Sequence, residues 1–143
     1  MKLVESTAVT SDNLLHEVAL LRQEGYRLVT LTCLHTGDGH DILYHFDQRY
    51  VLRHLRLHLK EQEALVSISS LFPAAMIVEN EIKDHFGVNV TGLAVDFQGR
   101  LMLTETAPRA PMNKVRRCGM DLDARVAPPT AAAPANPPSP APL

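Results

Sequence analysis

The stretch "YRLVTLTCLHTGDGHDILYHFD", residues 26–47, decides the fold. Its first half, through Thr36, is apolar and β-branched on both parities, the pattern of a strand covered on both faces. Gly37-Asp38-Gly39-His40 then reads as a turn. After it, Ile42, Tyr44 and Phe46 alternate with Leu43, His45 and Asp47, so residues 41–47 read as a second strand antiparallel to the first. The next segment, "YVLRHLRLHLK" at 50–60, sends Leu55, Leu57 and Leu59 one way and Arg56, His58 and Lys60 the other. It is a third strand.

Working outward, "SDNLLHEVALLRQE" (11–24) predicts a helix. Ser11 or Asp12 is placed to cap it, Leu14, Leu15, Val18 and Leu21 form its apolar stripe, and Gly25 stops it. Residues 61–72 read as a connection with room for a short strand. Pro73 opens a second helix, "PAAMIVENEIKDHF", which Gly87 ends in the left-handed conformation. Within "VNVTGLAVDFQGRLMLTE" (88–105), Leu101 and Leu103 are expected to form the last strand. The expected fold is α+β, a small, mostly antiparallel sheet with two helices packed against it. The domain spans 1–107, and 108–143 is a basic, then Pro/Ala-rich tail. Residues 127–143 hold seven of the ten prolines and no large apolar side chain before Leu143, so that tail is expected to be disordered.

Composition narrows the function. A formal net charge of −2 over 143 residues offers no field for a nucleic-acid backbone, and Trp is absent, so no nucleic-acid partner is expected. No run approaches the roughly 20 apolar residues of a membrane span. The start "MKLVESTAVT" carries acid and hydroxyl residues where a signal peptide is apolar, which predicts a cytosolic chain. Cys33 and Cys118 stand far apart with no CxxC, so no zinc ribbon or iron–sulfur cluster is built from this chain alone. Both read as reduced, incidental thiols, although Arg116 and Arg117 precede Cys118.

Seven histidines invite a metal site. His54 and His58 would pair on a helix, but on a strand they lie about 13 Å apart. They also alternate with Arg56 and Lys60 on one cationic face. His35 and His40 flank the turn near Asp38, yet no third strong ligand is specified. No metal ligand is therefore assigned. A histidine-based metal carrier or maturation factor stays open as an alternative of another class. There is no G-x-S-x-G elbow, P-loop or G-x-G-x-x-G.

The second helix crowds acids into "VENEIKDHFGVNV" (78–90). Projected at about 100° per residue, Ala75, Val78, Ile82 and Phe86 face the sheet. Glu81 and Asp84 lie with Ile77 elsewhere, while Glu79 borders the apolar face and can pair with Lys83. Split in this way, the acids do not form a general acid/base pair, and no catalytic residue is assigned. Asp84 stands in the last turn, where an anion opposes the helix dipole at a cost of a few tenths to about 1 kcal/mol. It calls for a partner: Arg100, Arg109 or a second protein.

The run "FPAAMIVENEIKDHFGVNVTGL" (72–93) resembles the signature of the 30-kDa subunit of respiratory complex I, which has relatives in energy-converting membrane-bound nickel–iron hydrogenases. Glu79, Glu81, Asp84, Phe86, Gly87 and Val88 match the pattern E-R-E, a spaced acid, then F/Y-G and an aliphatic residue. Arg100 resembles the arginine before the family's closing strand. Asn80 stands where the family usually has arginine, and the P-D-L-R-R and D-W elements of the respiratory members are missing. These departures favour the hydrogenase branch, of the CO-induced or ferredoxin-linked type, over the quinone-linked NADH dehydrogenase, which remains the alternative.

The resemblance implies a subunit with no cofactor and no catalytic residue of its own. It would pack beside the hydrogenase large and small subunits in the peripheral arm, at the inner face of the cell membrane, and touch the membrane only through them. The implied partner interface is Glu79, Glu81, Asp84, Phe86, Gly87 and Arg100. The acids would face partner arginines above the Phe86-Gly87 turn.

Overall fold

A computed structural model describes residues 5–113. The Pro/Ala-rich tail and Cys118 lie outside the described residues. The expected hairpin forms. Strand β2 (Arg27–His35) runs antiparallel to β3 (Gly39–Gln48), with a bulge between Leu28 and Thr30. Within the sheet β3 lies inside and β2 at the edge, and one face of β2 is open to solvent rather than covered, with Val29 and Leu34 exposed. Strand β4 (Val51–Lys60) pairs antiparallel with β3 along its whole length. A three-residue strand that the sequence did not announce, β1 (Thr7–Val9), adds in parallel to β4, giving the order β1-β4-β3-β2.

Register explains the core. Cys33, Ile42, Leu57 and Val9 stand abreast, as do Leu31, Tyr44 and Leu55, and all of these are buried. Helix α1 (Leu14–Gln23) adds Leu14, Val18 and Leu21 to the same core. Leu15 is exposed, because four apolar residues span more of the helix than the sheet covers. Neither Ser11 nor Asp12 caps it. Asn13 accepts a hydrogen bond from Thr10 N at 2.7 Å and closes the entry turn instead. Gly25, at φ 86°, ends the helix as expected.

Two-residue strands β5 (Leu65–Val66) and β6 (Val90–Thr91) pair in parallel on either side of helix α2 (Ala75–Phe86) in the chain. Gly87, at φ 70° and ψ 16°, is the left-handed stop, and its N–H bonds to Lys83 O at 3.0 Å. The strand expected at Leu101–Leu103 is absent. Residues 99–103 turn back against α2, because the Met102 N–H is taken by the Asp84 carboxylate rather than by a neighbouring strand. The chain remains attached as far as Asn113, where Met112 N bonds to His85 O at 2.9 Å and Asn113 reaches His40 at 2.9 Å.

The β3–β4 hairpin turn carries strain. Arg49 and Tyr50 both hold positive φ, at 49° and 69°, a two-residue turn geometry that normally selects Asn-Gly. Tyr50 is 98% exposed.

Candidate functional site: helix α2 and the loops it holds

Three polar side chains of α2, Glu79, Asn80 and Asp84, point inward. Glu79 is 0% exposed. Its Oε1 accepts the Ile68 N–H at 2.8 Å and its Oε2 accepts the Ser67 hydroxyl at 2.5 Å, so it anchors the segment after β5. Ser69 extends the network to Ser67 at 2.7 Å and accepts Ala94 N–H at 3.2 Å. Burial raises the Glu79 pKa, and the two hydrogen bonds only partly offset that rise. The expected Glu79–Lys83 pair does not form. Lys83 bonds to Asp96 at 2.6 Å, and that contact, with the Gln98 N–H, lowers the Asp96 pKa.

Asn80 is the residue whose role the sequence left open. It is 0% exposed and makes three hydrogen bonds. Its amide donates to Met76 O at 2.8 Å and Val95 O at 2.9 Å, and its carbonyl accepts Phe97 N–H at 3.0 Å. An uncharged amide is the group that can serve donors and acceptors together without burying a charge. Asn80, Lys83 and Asp84 thus hold residues 95–102 against the helix, while Glu79 holds residues 67–68 on the other side.

Asp84 is 3% exposed, and its Oδ2 accepts Met102 N–H at 2.7 Å. Its Oδ1 is buried and has no hydrogen-bond partner among the described residues; the same is true of the Tyr44 hydroxyl. Arg100 does not compensate Asp84, because it pairs with Glu105 at 2.9 Å. Nor does Arg109 lie within ion-pair distance of it. Asp84, Gly99, Arg100, Leu103 and Arg109 all line a cleft of about 410 Å³ between the end of α2 and the loop that follows. The predicted interface set is therefore split. Glu81, Gly87 and Arg100 are exposed and Phe86 is half-buried, whereas Glu79 and Asp84 are directed into the chain and do not present their charge at the surface.

On the sheet face away from the core, His45 and His54 oppose each other across β3 and β4, with Nδ1 atoms 2.7 Å apart. Burial, then the neighbouring His54, lowers the His45 pKa. That face is less cationic than its alternation suggested, because the buried Asp41 carboxylate meets Arg56 and His58 there. Burial alone would raise the Asp41 pKa, but those two partners outweigh it and lower it. His35 and His40 do approach, edge to face at 5.2 Å, while Asp38 faces His58. Among the described residues no three His, Cys, Asp or Glu side chains are placed to hold one metal ion. Cys33 is buried, and desolvation, with Asp41 nearby, pushes its thiol up to about 12.

A family model described as "Respiratory-chain NADH dehydrogenase, 30 Kd subunit" matches residues 7–118. The chain belongs to that family. No match is found among curated proteins. Among solved structures, a polypeptide of the membrane-bound sulfane sulfur reductase, an archaeal respiratory membrane complex, is similar with a TM-score of 0.60 at 14% identity. The likeness covers 78% of this chain and 70% of that one, and at such identity it speaks for the fold. Within the 30-kDa-type signature at 79–88, Glu79 and Asp84 fasten α2 to the loops on either side of it. Helical projection missed this because it treats the sheet as the helix's only neighbour. The signal available in the sequence was the pairing of polar helix positions with the polar "SISS" and Asp96 segments. Among the described residues no helix is long and apolar enough to cross a membrane.

Proposed function

We propose that this chain is a non-catalytic structural subunit of a membrane-associated, energy-converting nickel–iron hydrogenase complex. It docks on the hydrogenase large subunit, beside the small subunit, in the peripheral arm at the inner face of the cell membrane. The family match across residues 7–118 supports the subunit role, and Asn80 with the missing P-D-L-R-R and D-W elements is what favours the hydrogenase. The fastened surface of α2 supports it, because a helix cross-braced to two loops presents its outer residues without reorganisation, and that lowers the cost of docking. In this reading Glu81, Phe86, Gly87 and Arg100 meet the partner directly, and Glu79 supports them from behind.

A second reading, a subunit of a quinone-linked NADH dehydrogenase, is favoured by the family's printed description. Isolation of the tagged full chain from detergent-solubilised native membranes separates the two. Co-isolation with nickel-containing large and small subunits supports the hydrogenase. Co-isolation with a nickel-free, NADH-oxidising assembly replaces it with the second reading. Recovery of the chain alone overturns both.

A further inference from the structure

We propose that the cleft at the end of α2 is a socket for one cationic side chain, arginine or lysine, of the partner subunit, whose head group bonds to Asp84 Oδ1. This rests on the docking reading above and names the chemistry of one contact within it. A buried carboxylate oxygen without a donor is costly, because it has given up water and received nothing in return. Among the described residues Oδ1 is in that condition, although Oδ2 of the same group is satisfied by Met102 N–H. The two cations nearest by sequence are committed elsewhere, Lys83 to Asp96 and Arg100 to Glu105.

The space beside the carboxylate is left open at one point. A Cβ built on Gly99 would meet a single neighbour within 4 Å, Asp84 Oδ1 at 3.8 Å. The missing side chain at Gly99 therefore leaves space in the cleft beside the oxygen, room for an incoming donor. The rest of the lining suits a side chain with an aliphatic stem and a charged tip. Leu103, Val88 and Ala110 supply apolar wall, and Asp84 supplies the anionic end. Lys83, Arg100 and Arg109 also line the cleft; with the first two paired to Asp96 and Glu105, Arg109 is the lining cation of the described residues left to compete for the same oxygen.

Asp84→Asn tests the socket. Its carbonyl keeps the Met102 N–H bond and places an NH₂ where Oδ1 stood, so a donor faces the incoming donor. In the isolated full chain, thermal unfolding of Asp84→Asn should match or exceed wild type, since an unpaired buried charge is removed. A lower melting temperature would mean that a cation of this chain already serves Oδ1, and would overturn the proposal. In the complex, the variant should dissociate at least about tenfold faster than wild type. Gly99→Asn, which tolerates the φ of +76° and fills the space beside Oδ1, should do the same. Wild-type rates for both variants, with wild type itself assembled, overturn the socket and leave the docking reading standing. If wild type does not assemble, the docking reading itself fails. A photo-crosslinker at Thr104, on the cleft rim, should yield an adduct on a partner peptide holding Arg or Lys. An adduct on a peptide without either refutes the assignment.

Discussion

Replacing Glu79 by alanine distinguishes an inward anchor from a surface charge. Truncation strands the Ile68 N–H, in a residue that is 0% exposed, with no other acceptor. A buried donor left unpaired costs about 1–3 kcal/mol, and one lost buried methylene adds about 0.8 kcal/mol. Relief of the buried carboxylate offsets part of this, leaving a net loss of about 2–3 kcal/mol. For a domain of this size the melting temperature should fall by roughly 10 °C or more. Had Glu79 been a solvated interface residue, the loss in the isolated chain would stay below about 0.5 kcal/mol. Glu79→Gln is the control, expected within about 1 kcal/mol of wild type at neutral pH. Its carbonyl can keep the Ile68 N–H while its amide donates to Ser67, whose hydroxyl turns to Ser69. Urea unfolding of the isolated full chain measures all three. An alanine variant as stable as wild type would refute the inward anchor.

Further predictions concern pH, the loop and the hairpin. Because the folded Glu79 pKa lies above its ordinary value of 4.5, the unfolded chain ionises first. Stability from this group is therefore greatest below that value and falls as pH rises through the folded pKa. Glu79→Gln should flatten that window and leave the acid-side loss from Asp41 and Asp96, whose pKa values are lowered, intact. Asn80→Ala should cost about 1–3 kcal/mol, with amide exchange accelerated first at Phe97, whose N–H loses its acceptor. Unchanged protection there would discount the amide's hold on the loop. Changing Arg49-Tyr50 to Asn-Gly should stabilise the domain by about 1–2 kcal/mol in thermal unfolding, since both positions hold positive φ. A loss of stability would count against strain at that turn.

What the sequence disclosed follows the strength of its periodic signals. Strands β2, β3 and β4 were legible because each is long enough for alternation to register, and both helix stops were legible because Gly25 and Gly87 take positive φ. Strands β1, β5 and β6 have two or three residues, too few for any period. Leu101 and Leu103 imitate a strand, but Asp84 captures the amide between them. The site was half legible. The signature pointed to α2, and Asp84, out of place in its last turn, proves buried with one oxygen unpaired among the described residues. The direction of Glu79 and the triple bonding of Asn80 depend on loops folded over the helix, contacts that one-dimensional spacing does not encode.

The parallel placement of β1 has a consequence for the order of events during synthesis. Thr7–Val9 leaves the ribosome early but pairs with Leu55–Leu57, which are made only after both intervening strands. The β2–β3–β4 meander closes through short neighbouring turns, whereas β1 must wait for a distant template and close a long loop. It is the natural last step of folding and the first place to open in the folded state. Until it docks, the outer edge of β4 is an open hydrogen-bonding rail. A nascent chain delayed at this stage would expose that rail to other unfinished chains, and the docking of β1 withdraws its middle, Leu55–Leu57, from such pairing.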